Sequence, residues 1–190
     1  MSDRKIDRVD AAFAAHTRTG FLPHDQVRHS HRDEPLPIGH GQTSSQPSTV
    51  ARMLRFLDVP PGARVLDVGA GSGWTTALLA HLTGPTGVVV GVELEPELAA
   101  WGAANLARTG QPWARIELTA PDVLGAPAQG PFDRVLVSAE APELPMALVA
   151  QLADAGRMVA PVAAGLSVVE RTRDGLRITR HEGYRFVPLR

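Results

Sequence analysis

Apolar and polar positions change their rhythm near Pro61. Before it, helical spacing occurs only near Ile6 to His16 and Thr49 to Leu57. The intervening stretch, Phe21 to Pro47, is rich in His, Pro, Ser and Gly and predicts a long ordered loop, with Leu36, Pro37 and Ile38 as the apolar residues that argue for order. Loops of that length inside a compact domain are uncommon and are usually functional or disordered. From Ala63 onward, strand and helix patterns alternate. Arg64 to Val68 is a short apolar run ending in glycine, Thr75 to Leu82 has helical spacing, Gly87 to Val92 is the β-branched run of a strand buried on both faces, and Pro96 to Arg108 is an amphipathic helix. Arg115 to Leu118, Arg134 to Val137 and Arg157 to Val162 are further strand candidates, with a helix expected over Leu144 to Ala155. This alternation predicts a doubly wound, mostly parallel α/β sheet with helices on both faces. At the end, Ser167 to Thr172 and Leu176 to His181 flank the turn Arg173-Asp174-Gly175 and predict an antiparallel edge hairpin.

Composition narrows the class of protein without naming a chemistry. The 190 residues suit one domain, with residues 1–61 as N-terminal helices and loop and residues 62–190 as the core. With 19 basic and 20 acidic residues, the net charge of -1 gives no reason to expect nucleic acid as a partner. The chain has no cysteine, which excludes a disulfide framework, a thiolate nucleophile and thiolate zinc sites. Polar sequence after Met1 and the lack of a long apolar run lead us to expect a cytoplasmic protein, with no membrane association and a monomer favoured. His24, His29, His31 and His40 are spaced too irregularly for a metal site and are expected to be exposed loop residues. Trp74 and Trp101 fall on helices and are expected to pack in the core.

The most informative segment is Gly69-Ala70-Gly71-Ser72-Gly73, directly after the first core strand. Glycines there let the backbone turn and approach a ligand, while the next helix offers unpaired N–H groups. A dinucleotide fingerprint needs Gly-x-Gly-x-x-Gly; here the third glycine comes one residue early, and the shortened form favours S-adenosylmethionine. Glu93, at the end of the second core strand, stands where a carboxylate accepts hydrogen bonds from ribose hydroxyls. Asp67, inside the strand before the turn, is costly to bury without a donor, and the methionyl ammonium could be that donor, directly or through water.

With these residues the chain resembles the protein-L-isoaspartate (D-aspartate) O-methyltransferase family over nearly its whole length. Asp33 to Pro47 is close to that family's Pro-Leu-Pro-Ile-Gly and Gly-Gln-Thr-Ile-Ser-Gln-Pro pattern. Val65 to Trp74 matches its cofactor loop, Pro131-Phe132-Asp133 with Ser138-Ala139 its fourth-strand motif, and Arg185 to Leu189 its end. The resemblance implies a Rossmann-like methyltransferase sheet and methyl transfer from S-adenosylmethionine, leaving S-adenosylhomocysteine, to the α-carboxylate of L-isoaspartyl or the β-carboxylate of D-aspartyl residues in peptides or proteins. The ester then cyclises to a succinimide. Carried over by position, Ser45 is the active-site serine, read as orienting the substrate carboxylate. Thr43, Ser44, Asp67, Gly69, Ala70, Gly71, Gly73, Glu93, Leu94, Asp122 and Val123 are assigned to the cofactor, and Ile38, His40, Gln42, Ser138 and Glu140 to the substrate.

Departures from the pattern gather on the substrate side. His31 and His40 stand where tyrosines are usual, Ser44 replaces an isoleucine, and Pro121 and Val123 flank Asp122 where the family has glycines. Glu140 replaces an alanine, and its charge would repel a substrate carboxylate unless it pairs elsewhere. Two alternatives therefore stay open: a relative that methylates an aspartate of one dedicated peptide to form an aspartimide, and a catalytically silent module that binds S-adenosylmethionine.

Overall fold

The computed structural model describes residues 7–189. Helix α1 (Arg8–Ala15) is capped by Asp7, whose carboxylate accepts from the Val9 N–H at 3.0 Å; the expected start at Ile6 lies outside the described residues. Helix α2 (Pro47–Leu57) opens with proline, at a position where no backbone N–H is required. Between them the expected loop is in part a hairpin, β1 (Leu36–Gly39) and β2 (Gln42–Ser44), with Pro37 opposite Thr43. Its cause is local. Leu36 and Ile38 point one way into an apolar cluster with Leu22 and Leu98, and Gly39, His40 and Gly41 turn the chain with φ of 92°, 53° and 70°. Glycine adopts that left-handed backbone freely, so only His40 is strained.

The core is one sheet of β3 (Arg64–Val68), β4 (Val88–Glu93), β5 (Ala114–Leu118), β6 (Phe132–Val137), β7 (Leu152–Val162), β8 (Gly165–Thr172) and β9 (Gly175–Glu182), ordered β5-β4-β3-β6-β7-β8-β9. Pairs among β3 to β7 are parallel; β8 and β9 are antiparallel and form the expected edge hairpin. Side chains along β3 alternate between two layers. Val65 packs in a layer with Leu54 of α2 and Leu78 of α3 (Trp74–Thr83), whereas Leu66 and Val68 join Phe132, Met158 and Leu148. Because β4 and β6 flank β3, the strand order reverses there, and a crevice opens at the carboxyl ends of the strands.

One expected element is corrected. Residues 144–155 do not form a helix; α5 spans only Met146–Val149, and Leu152 already pairs with Phe132 of β6. The apolar residues Leu144, Leu148, Val149 and Leu152 mimic a helical stripe, yet all four serve the same core layer from loop, helical turn and strand. Beyond Leu152 the strand bulges: Ala155 has φ 60°, and a side chain on Gly156 would meet the Ala153 carbonyl at 2.7 Å. No helix of the described residues is long and apolar enough to cross a membrane.

Candidate active site

The glycine turn follows β3 directly, and its first two amides extend the sheet, Gly69 and Ala70 donating to the Val92 carbonyl at 2.9 and 3.1 Å. Gly71 then donates to Glu93 Oε2 at 2.8 Å, while Glu93 Oε1 accepts from the Leu94 and Glu95 amides at 2.8 and 3.1 Å. Three backbone donors thus fix one buried carboxylate between two loops and leave its remaining lone pairs for hydroxyl donors. Gly73 plays a different part. It does not line the cleft; a side chain there would meet the Gly102 carbonyl of α4 (Pro96–Ala107) at 2.7 Å, so this glycine permits close packing of the helix.

Asp67 also lies behind the cleft wall instead of on it. It is wholly buried, and its Oδ2 accepts from the hydroxyls of Thr75 and Thr76 at 2.8 and 2.7 Å. Its Oδ1 has no partner among the described residues. Burial pushes this carboxyl up to about 6, the two threonine hydroxyls pull it back, and the charge of Glu93 adds to the rise. A buried carboxylate oxygen without a donor is the unfilled half of a hydrogen bond, and S-adenosylmethionine carries an ammonium able to supply it, directly or through water. Together, Asp67, Glu93 and the glycine turn fit that cofactor.

The far end of the cleft is walled by Thr119 to Gly125. Pro121 removes no needed donor: Val123 N bonds the Ala120 carbonyl at 3.0 Å, so Pro121 occupies the second position of a tight turn, where its fixed φ suits the chain. Asp122 and Val123 are carried on that turn and face the cleft with Leu94. Sequence reading missed the brace beneath. Gln151 accepts from the Ala126 amide and donates to the Leu124 and Ala147 carbonyls, each at 2.9 Å.

At the near end, β2 brings Gln42, Thr43, Ser44 and Ser45 to the cleft, and Ile38 packs on the turn, 3.1 Å from where a side chain on Gly71 would begin. Ser138 joins them, its amide bonded to the Val68 carbonyl at 2.9 Å. Ser45 does not cap α2. That start is held by Asp33, which accepts from Ser48 N at 2.8 Å, and the Ser45 hydroxyl has no partner among the described residues. Ser44 turns its hydroxyl away from solvent, accepting from Arg18 Nε at 3.0 Å.

Two residues expected at the substrate lie elsewhere. His40, on the hairpin tip, faces Glu95 at 3.6 Å and Glu97 at 3.2 Å outside the cleft. Glu140 binds structure instead of substrate: Oε1 accepts from Ala164 N at 3.0 Å and Oε2 from Phe186 N at 3.3 Å, while its backbone bonds Val187 and Leu189. Both of its oxygens are held by backbone amides off the cleft, away from the acceptor end. The segment it holds, Val187 to Leu189, forms a wall of the cleft that sequence reading left unassigned. His31 is an exposed loop residue.

A cleft at the reversal point of a parallel sheet, with a shortened glycine turn, an amide-bound acid after the second strand and an orphaned aspartate oxygen, defines a Rossmann-like methyltransferase that uses S-adenosylmethionine. Its family follows from comparison with known proteins. The chain belongs to the Protein-L-isoaspartate(D-aspartate) O-methyltransferase family, whose model matches residues 2–190. A protein-L-isoaspartate O-methyltransferase of Aeropyrum pernix is 45% identical over 187 residues, covering 96% of this chain and 72% of that one. The protein of the same description from Methanopyrus kandleri is 44% identical over 190 residues, 97% of this chain and 84% of its own. Among solved structures, a protein-L-isoaspartate O-methyltransferase superposes with TM-score 0.87 at 25% identity, covering 97% of this chain, which spans 61% of that chain's length. A Plasmodium falciparum protein assigned to the same enzymes, in complex with S-adenosyl-L-homocysteine, gives 0.84 at 27% identity over 98% of this chain and 91% of its own.

Proposed function

We propose that this chain methylates the α-carboxylate of L-isoaspartyl residues, and the β-carboxylate of D-aspartyl residues, in damaged peptides and proteins, starting their repair through a succinimide. The observation that carries this reading is the placement of Ser45: an unengaged hydroxyl on the same cleft as the Gly71–Glu93 pair, one residue past β2 and free of any capping duty. When bound, S-adenosylmethionine supplies an electrophilic methyl group on a sulfonium. A carboxylate with a pKa of about 4 is already ionised at neutral pH, so the site needs no general base. What remains is geometry. Ser45 donates one hydrogen bond that orients the acceptor oxygen without taking a proton, and Ile38, Gln42, Ser138 and the Val187–Leu189 wall confine the acceptor and exclude water. With S-adenosylmethionine bound, Glu93 and the Leu94 segment would hold the ribose, Asp67 would take the ammonium directly or through water, and the Asp122–Val123 turn would hold the base.

The reading as a dedicated aspartimide former loses its motive, because His31, His40 and Glu140 all lie off the cleft and the Ser44 hydroxyl is committed to Arg18. Labelled methyl transfer to an isoaspartyl peptide tests the proposal. The product should be a base-labile ester that releases methanol as it cyclises. A stable methylated product, or cofactor binding with no transfer, would contradict it.

A further inference from the structure

Arg18 is a buried cation, 4% exposed, that pairs with no carboxylate of the described residues. Its Nε donates to Ser44 Oγ at 3.0 Å, its Nη2 to the Ser44 carbonyl at 2.6 Å and its Nη1 to the Arg32 carbonyl at 3.3 Å. The guanidinium carbon stands 5.6 Å over the ring of Trp74, which in turn donates to the His16 carbonyl at 2.9 Å. Asp33 and Glu34 act on Arg18 only through space, and Asp33 already accepts from Gln46 and Ser48. Burial lowers the guanidinium to about 10, so it keeps its charge at neutral pH.

Three neutral oxygens accept from three of its five N–H groups and a ring face covers it, but no carboxylate contacts its charge, which meets Asp33 and Glu34 only at a distance. A buried charge with no carboxylate in contact is costly to a fold, and hydrogen bonding alone would be served by a neutral donor. Ser44 and Trp74 both line the cleft, which places the charge one layer behind its wall, beside Ser45. Nothing in the cofactor reading uses it.

We propose that Arg18 is a positioning residue for the methyl acceptor: it pins Ser44 so that Ser45 faces the acceptor oxygen, and its charge favours an anionic carboxylate at that end of the cleft. This rests on the reading of the acceptor as a carboxylate. Asp33 and Glu34 act on Arg18 only at a distance, and the bound acceptor then adds a counter-charge from the cleft side. The effect falls on acceptor binding more than on turnover, since the charge acts equally before and during transfer.

The test compares an isoaspartyl peptide with its α-carboxamide twin, both titrated into protein saturated with S-adenosylhomocysteine. In wild type the anion should bind at least about tenfold tighter, the size expected of a charge acting across one layer of protein. Arg18→Gln should reduce that preference to within about threefold and raise KM for the isoaspartyl peptide more than it lowers kcat, with S-adenosylhomocysteine affinity nearly unchanged. Arg18→Lys, which keeps the charge, should keep the preference. A preference that survives intact in Arg18→Gln overturns the inference. If Arg18→Gln fails to fold, Arg18→Lys decides: preference kept supports it, preference lost overturns it. A wild type that methylates the isoaspartyl peptide yet binds both twins alike overturns the inference alone; a wild type that does not methylate it overturns the underlying reading.

Discussion

The Gly71 amide donates to Glu93 Oε2 at 2.8 Å, and through that bond the turn after β3 and the loop after β4 hold each other's shape. The other Glu93 oxygen accepts from two more amides of its own loop, so one carboxylate fixes both loops at this side of the cleft.

Replacing Glu93 by Ala should therefore weaken S-adenosylhomocysteine binding beyond the loss of a ribose contact. Charge-assisted bonds to buried donors contribute about 1.5–3 kcal/mol each, so the dissociation constant measured by calorimetry should rise at least about tenfold. Glu93→Gln keeps the shape but swaps one acceptor for a donor facing amides, and should fall between the two. Equal affinity in Glu93→Ala would remove this residue from the site.

Asp67 makes stability depend on pH. Its folded pKa, about 6, lies above the unfolded value near 3.8, so the folded state binds the extra proton between them. The sign follows: stability without cofactor should fall as pH rises from about 4 to about 6, then level off, by an amount on the order of 3 kcal/mol. Asp67→Asn should flatten that window in denaturant melts while weakening the cofactor. If the ammonium meets Asp67, binding near pH 6 should release protons, seen as a dependence of the calorimetric heat on buffer. Proton uptake there would contradict the assignment.

Ser45→Ala should lower kcat by about 100-fold, the range for losing one orienting contact in a near-attack geometry, with S-adenosylhomocysteine affinity kept within a few-fold. Turnover close to wild type would make Ser45 a bystander.

Glu140→Ala leaves the exposed Ala164 amide to water and the half-buried Phe186 amide without its acceptor, at a cost of about 1 kcal/mol. Hydrogen exchange should accelerate at Ala164 and from Phe186 to Leu189, with KM for peptide raised as that wall loosens. Unchanged exchange would show that backbone pairing alone holds the segment.

The parts legible in the sequence are those set by neighbours in the chain. The β-branched run ending at Glu93, the glycines after Val68 and the turn at Asp174-Gly175 each carry their own local chemistry, and the fold follows them closely. Resemblance brought Ser45 to the site, and the β2 strand puts it there. The missed features depend on contacts between distant residues. Glu140 finds its partners 24 and 46 residues away, Arg18 is buried by a strand 26 residues on, and neither local pattern separates them from exposed charges. The helix expected over 144–155 failed because the apolar stripe there is shared by three conformations that face one core. The β1–β2 hairpin was readable in principle, from Leu36 and Ile38 alternating about Pro37 before Gly39-His40-Gly41.

Central to the account is a carboxylate acceptor displayed by a damaged linkage. The direct measurement is the rate of labelled methyl transfer to an isoaspartyl peptide beside its normal aspartyl twin, at equal concentration and neutral pH. Methylation of the isoaspartyl peptide, with the aspartyl twin at background, is the predicted result; equal labelling of both, or labelling of the aspartyl twin alone, would contradict it.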